Sequence, residues 1–230
     1  MRLSIVIPVL NEAASIEASL APLQALRARG HEIILVDGGS RDGTLAKGDG
    51  LVDRAVTSEG GRARQLNTGL ALAKGDVVVF LHADTLLPDY ADERIRVGLS
   101  SARHAWGRFD VRIVGRSALL PIVAAMMNLR SRLTGIATGD QVIFASRAAL
   151  NSIGGVPDLA IMEDVALSRR LKRVSPPLSL RDRVSTSGRR WEANGAIRTI
   201  VLMWALRLAF FLGVSPERLA RAYYPSRRVA

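Results

Sequence analysis

The sequence has no cysteine among its 230 residues, which excludes disulfides, thiolate zinc sites and cysteine nucleophiles together and suits a reducing compartment. Histidine is nearly as scarce. His31, His82 and His104 include no pair at metal-site spacing and no His-Glu-x-x-His helix, so zinc hydrolysis has no support. Neither a Gly-x-Ser-x-Gly elbow nor a phosphate-binding Gly-x-x-x-x-Gly-Lys loop is present, and the dinucleotide fingerprint does not follow either of the first two strand-like runs. Aromatic residues make up only 5%, too few for stacking platforms, and no helix-turn-helix or zinc-finger pattern occurs, so no nucleic-acid partner is expected. The opening Met1–Pro8 stretch lacks the apolar length and small-residue cleavage site of a secretory signal. It reads as a first strand, and a cytoplasmic location is the expectation.

What is present is apolar material: 48% hydrophobic against 23% charged, enough to bury one sizeable core. The formal charge of +11 is uneven. Residues 181–230 carry ten arginines against Asp182, Glu192 and Glu217, a net +7. Such a patch suits nucleic acid, an anionic membrane or an anionic ligand, and charge alone does not choose among them. A nonenzymatic basic binding module accounts for this charge, but not for the carboxylates described next.

Leu3–Val9 is a β-branched run ended by Pro8 and Asn11, and Ala13–Arg29 follows at helical period. Glu32–Asp37 repeats the strand and ends in Gly38-Gly39-Ser40. A short third strand is expected near Leu51–Thr57, a helix over Arg64–Lys74, and the most continuous strand over Asp76–Leu81. This rhythm predicts an α/β fold with an open, mostly parallel sheet. Ligands gather outside the carboxyl ends of such strands, where Asn11-Glu12, Asp37 and Asp84 all fall. The second half is less regular: a loosened Trp106–Val114 stretch, an apolar run over Leu119–Leu129, a Gly139-Asp140-Gln141 turn before the strand Val142–Phe144, and helices near Glu163–Arg173 and Ile197–Leu212.

Each polar candidate has a plain structural use beside the chemical one. Asp84, in a His-Ala-Asp-Thr turn, is either a turn former or a carboxylate that meets a divalent cation. Glu163-Asp164 opens a helix, where acids cap free N–H groups, but a carboxylate there can also act as general base. Arg62 and Arg64 are solvated surface charges or a guanidinium pair suited to a diphosphate. Arg190-Trp191 either clamps a phosphate or covers a helix end.

Taken in order, Ser4-Ile5-Val6-Ile7-Pro8-Val9-Leu10-Asn11-Glu12, Val36-Asp37-Gly38-Gly39-Ser40, His82-Ala83-Asp84, Glu163-Asp164 and Arg190-Trp191 resemble the family 2 inverting glycosyltransferases over about residues 1–195. The resemblance implies a GT-A fold, a Rossmann-like sheet flanked by helices, for residues 1–195, with an apolar helix and basic tail over 196–230. It implies a nucleotide-sugar donor, a UDP- or GDP-sugar, held by Pro8, Glu12, Asp37, Arg62, Arg64 and Asp84. It also implies a divalent cation, Mn or Mg, on Asp84 with His82 beside it, and Asp164 as the base acting on a hydroxyl acceptor. Gly139, Asp140, Gln141, Glu163, Arg190 and Trp191 fall on the acceptor or diphosphate side. Two departures stand out. Ser187 occupies the Gln position of the Gln-x-x-Arg-Trp motif of processive members, and His82 replaces the first Asp of Asp-x-Asp. The segments Gly61–Asn67, His82–Thr85, Gly139–Gln141 and Ile161–Val165 are most similar to a small bacterial subgroup labelled as arsenosugar-biosynthesis or carotenoid-type glycosyltransferases. Transfer to a polyprenyl phosphate is the closer alternative reaction.

Thr199–Val214 is apolar except for Arg207, and its 16 residues fall short of the ~20 that span a bilayer. The helix packs on the domain or on a second copy in a homodimer, or else lies on the inner face of the cell membrane with Arg218, Arg221, Arg227 and Arg228 near anionic headgroups.

Overall fold

Four apolar runs become parallel strands: β1 (Leu3–Val9), β2 (Glu32–Asp37), β3 (Arg54–Thr57) and β4 (Val77–Phe80). The computed structural model describes residues 1–223, the side chains of Arg190, Asn194 and Ala196 excepted. The tail arginines Arg227 and Arg228 therefore lie outside the described residues. The helix expected over Ala13–Arg29 is broken. α1 (Ile16–Leu20) passes through a 3-10 turn at Ala21–Leu23 into α2 (Gln24–Ala28), where Pro22 lacks the N–H that an unbroken helix requires. α3 (Thr44–Asp49) links β2 to β3, and α4 (Arg62–Leu72) starts two residues earlier than expected, so that Arg62 opens it.

The second half is more regular than its sequence suggests. β5 (Thr85–Leu86) and α5 (Ala91–Leu99) lead into β6 (Trp106–Val114), a nine-residue strand. The apolar run at Leu119–Leu129 becomes α6 (Leu120–Thr134), followed by a 3-10 turn at Gly139–Gln141, β7 (Ile143–Ser146) and α7 (Arg147–Ser152). Then come α8 (Glu163–Leu171), β8 (Leu178–Ser187), α9 (Arg189–Asn194), α10 (Ala196–Phe211) and α11 (Pro216–Tyr223).

The eight strands among the described residues form one sheet in the order β3-β2-β1-β4-β7-β6-β8-β5. β7 runs antiparallel to both β4 and β6 and so joins the parallel first half to the second, in which β6 and β8 are again parallel. Both faces of the sheet are covered, which is why the central strands read as continuous apolar runs rather than alternating ones. One face packs Ile5, Ile7, Leu35 and Val79 against Ile16, Leu20, Ile95 and Val123. The other packs Val6, Ile34, Val36 and Phe80 against Leu66, Leu150, Leu167 and Leu171. α4 lies so close to β1 that a Cβ on Gly69 would sit 2.2 Å from Val6 Cγ1; only glycine permits that approach.

The C-terminal helices form a third cluster. Leu206 of α10 and Leu219 of α11 pack on Ile161 and Met162 at the start of α8, and the Arg169 guanidinium stands 5.8 Å above the Phe211 ring.

Candidate active site

The carboxyl ends of β1 and β4 meet at a cavity of about 500 Å³. The loop after β1 supplies Pro8 and Glu12, the turn after β4 supplies His82 and Asp84, and α4 contributes Arg62 at its first turn. Asp140 closes one side. Ser187 and Trp191 close another, at the end of β8 and in α9.

Hydrogen bonds between adjacent loops fix this entrance. Asn11, in a left-handed conformation with φ 55°, donates its N–H to Ser40 Oγ at 2.8 Å and accepts the Arg41 N–H at 3.0 Å. The Glu12 N–H reaches Thr44 Oγ1 at 2.8 Å. Glu12 Oε2 accepts the Ser15 hydroxyl at 2.7 Å and stands 3.6 Å from Arg189. Asp37 is buried, and both its oxygens take hydrogens from Ser40, so it shapes the loop and is not on the cavity wall. A residue not singled out from the sequence does comparable work: buried Gln65 donates to the Val9 and Val36 carbonyls at 2.8 and 2.9 Å, tying two strand ends together on the cavity floor.

The two arginines of the Gly61-Arg62-Ala63-Arg64 turn separate. Arg62 faces the cavity, with Nη1 3.6 Å from Glu163 Oε1. Arg64 pairs with Glu59 at 2.7 Å and Asp158 at 3.4 Å and does not line the cavity. Asp84 is exposed, and its backbone carbonyl accepts the Ser187 N–H at 3.2 Å, linking the turn to β8. His82 Nδ1 stands 3.4 Å from Asp140 Oδ1. Gly139 lies against the other side of that ring: a Cβ there would fall 2.3 Å from His82 Nε2. Gln141 is fully buried, accepting the Thr138 N–H and donating to Asn128 Oδ1, both at 3.3 Å, so it holds the turn.

Asp164 lines a recess of about 20 Å³ that shares Arg62 and His82 with the main cavity. Its Oδ2 accepts the Gly139 N–H at 2.9 Å and its Oδ1 the Val165 N–H at 2.7 Å. Glu163 is buried beside it. Burial, and then the neighbouring Asp164 charge, push the Glu163 carboxyl above its ordinary value, with Arg62 opposing. The Arg190 side chain lies outside the described residues.

Sequence reasoning missed the far wall. Val123, Met126 and Arg130 of α6 meet Thr199, Met203, Trp204 and Arg207 of α10 there, with Tyr223 beside them. The 3.6-residue spacing of these side chains was visible, but that α6 and α10 would line one cavity was not.

A mostly parallel sheet with a crevice at its strand ends, joined through an antiparallel strand to a second half, defines a GT-A glycosyltransferase fold. Residues 4–119 match the model of Glycosyl transferase family 2, and the chain belongs to that family. An undecaprenyl-phosphate 4-deoxy-4-formamido-L-arabinose transferase of Aeromonas hydrophila is 35% identical over 96 residues, 37% of this chain and 29% of that one. An uncharacterized glycosyltransferase of Mycobacterium tuberculosis is 29% identical over 182 residues, covering 74% of this chain and 69% of its own. Among solved structures, a mannosyltransferase of Pyrobaculum calidifontis in complex with GDP-Man and Mn2+ superposes with a TM-score of 0.61 at 23% identity, over 80% of this chain and 56% of that one. The chain thus spans less than a third of the first relative and little more than half of the mannosyltransferase.

Proposed function

We propose that the protein is an inverting glycosyltransferase that moves a sugar from a nucleoside-diphosphate donor, a UDP- or GDP-sugar, to an acceptor hydroxyl. The observation that carries this reading is the convergence of Glu12, Arg62, Asp84 and Asp140 on one cavity at the strand ends, with Asp164 in the adjoining recess. Glu12 and the Asp37-shaped loop serve the nucleoside, and Arg62 serves the diphosphate. We assign residues 1–195 to the transferase domain and 196–230 to an extension, of which α10 and Tyr223 complete the far wall. The motif likenesses support a place in the arsenosugar-biosynthesis or carotenoid-type subgroup.

In the proposed reaction Asp164 takes the proton from the acceptor hydroxyl as that oxygen bonds to the anomeric carbon. The bond from carbon to phosphate oxygen breaks, its electron pair leaves with the nucleoside diphosphate, and the configuration inverts. Arg62 lies where charge builds on the departing phosphate. Among the described residues no three His, Asp or Glu side chains cluster as a closed metal cage. An ion such as Mg²⁺ or Mn²⁺ takes one or two carboxylates and completes its shell with substrate phosphates; Asp84, exposed at the cavity with His82 on the same turn, would hold it. When bound, the ion supplies neutralisation of the diphosphate charge.

Transfer to a polyprenyl phosphate is the second reading, favoured by an apolar surface on the extension. Ile197, Val201, Trp204, Leu208 and Phe211 of α10 are exposed along one stripe, and Ile122, Met126, Leu129 and Leu133 repeat the pattern on α6. No helix among the described residues is long and apolar enough to cross a membrane. Contact at the membrane surface is therefore the form this reading takes.

Calorimetric titration of UDP-sugars and GDP-sugars, with and without Mn²⁺, tests the main reading. Metal-dependent binding of one nucleotide, lost in Asp84→Ala, is expected; no binding of any nucleotide under either condition overturns it.

A further inference from the structure

Gln65 of α4 is only 5% exposed, yet it lines the cavity where β1 and β2 end. Its Nε2 donates to the Val9 carbonyl at 2.8 Å and to the Val36 carbonyl at 2.9 Å, which uses both amide hydrogens. The orientation of the amide is therefore fixed: turned over, its oxygen would face two carbonyl oxygens and none of the three would be paired. The amide also lies flat against Gly38, where a Cβ would stand 3.0 Å from both Cδ and Oε1. A residue without a side chain leaves it that place.

Oε1 receives no hydrogen bond from any described residue and is not sealed in, so it is an acceptor held ready at the cavity. The carboxylates at this end of the cavity are otherwise engaged. Asp37 gives both oxygens to Ser40 and is not on the cavity wall. Glu12 is on the wall, but its Oε2 takes the Ser15 hydroxyl and faces Arg189. Pro8, Val9 and Leu10 line the same cavity and offer an apolar surface to the face of a flat ring.

We propose that Gln65 selects the base of the donor nucleotide, its fixed Oε1 accepting the ring N–H of uracil or guanine. Uracil carries that hydrogen on N3 and guanine on N1, whereas cytosine and adenine carry a lone pair at the corresponding atoms. Against a fixed acceptor, the lone pair leaves two acceptors facing each other unpaired, and a site built to bond a hydrogen rejects an analogue that lacks it far more strongly than a missing methylene. The Val9 and Val36 carbonyls thus set specificity through Gln65 without touching the ligand. The inference rests on the nucleotide-sugar reading and adds to it the residue that excludes cytidine and adenosine donors.

Calorimetric titration of UDP, CDP, GDP and ADP, each with Mn²⁺, into the full chain tests this in the parent and in Gln65→Met, Gly38→Ala and Glu12→Gln. The parent should bind UDP at least tenfold tighter than CDP, or GDP at least tenfold tighter than ADP. Gln65→Met should bring that ratio within threefold; the Val9 carbonyl still accepts the Gly38 N–H, at 2.9 Å in the parent, which limits the cost to the fold. Gly38→Ala keeps the amide but pushes it aside, and should narrow the ratio at least threefold. A purely structural Gln65 would weaken all four nucleotides alike, and a parental ratio in both variants overturns the proposal. So does a parent that binds CDP as tightly as UDP and ADP as tightly as GDP. A ratio narrowed in Glu12→Gln but parental in Gln65→Met gives the selection to Glu12 and overturns it too. No binding of any nucleotide removes the transferase reading and the proposal with it, whereas binding without discrimination removes the proposal alone. Melting curves accompany each variant, and if Gln65→Met fails to fold, Gly38→Ala carries the test.

Discussion

The Asp164 carboxylate accepts the backbone N–H of Gly139 at 2.9 Å, so the proposed base and the 3-10 turn after α6 hold each other in place. The same glycine lies against His82, where a Cβ would approach Nε2 to 2.3 Å. Gly139→Ala must therefore push His82, the turn or both. Glycosyl transfer should fall on the order of ten- to a hundredfold, as expected when reacting groups are displaced by part of an ångström. Steady-state kinetics beside a melting curve would check this, and a variant with parental kcat would show that the contact does not position the site.

Asp164→Asn keeps the size and the acceptor oxygen for the Gly139 N–H but removes the basic carboxylate. Turnover is expected to drop by roughly 10²–10⁴-fold, the usual contribution of a general base, with nucleotide affinity almost unchanged. Single-turnover rates read alongside calorimetry separate the two effects. Parental turnover in this variant would remove Asp164 from the chemistry.

Glu163 gives a pH signature. Its folded-state carboxyl is held above the ordinary value of 4.5, so the folded protein keeps this proton when the unfolded chain has lost it. The stability associated with that proton is complete below 4.5 and declines as pH rises toward the raised folded value. Glu163→Gln carries no such proton, and its melting temperature should decline less over that range than the parent's. Parallel melting profiles for the two proteins would contradict the buried, raised carboxyl.

The first half of the fold was legible because β1, β2 and β4 are buried on both faces and read as unbroken apolar runs. β8 was not, since Arg181, Asp182 and Arg183 interrupt Leu178–Ser187, and its strand identity comes from pairing with β6. The break at Pro22 was written in the sequence but outvoted there by the helical period of Ile16, Leu20, Leu23 and Leu26. At the site, the motifs located Glu12, His82, Asp84 and Asp140 on the cavity. They did not separate Arg62 from Arg64, because a two-residue difference in helix position sends one guanidinium inward and the other to Glu59. Arg130 and Arg207 carried no motif at all. They come to one cavity only through the fold, from helices distant along the chain.

β7 inserts antiparallel between β4 and β6 and makes the sheet continuous from β3 to β5. The two halves of the molecule consequently share one ladder and have no hinge between them, since opening them would break the hydrogen bonds on either side of β7. The far wall has a different support: α10 packs on the main core through Ile200 and, through Leu206, on the separate cluster with Ile161, Met162 and Leu219. The floor of the cavity is thus held by backbone hydrogen bonds and its far wall by side-chain packing alone.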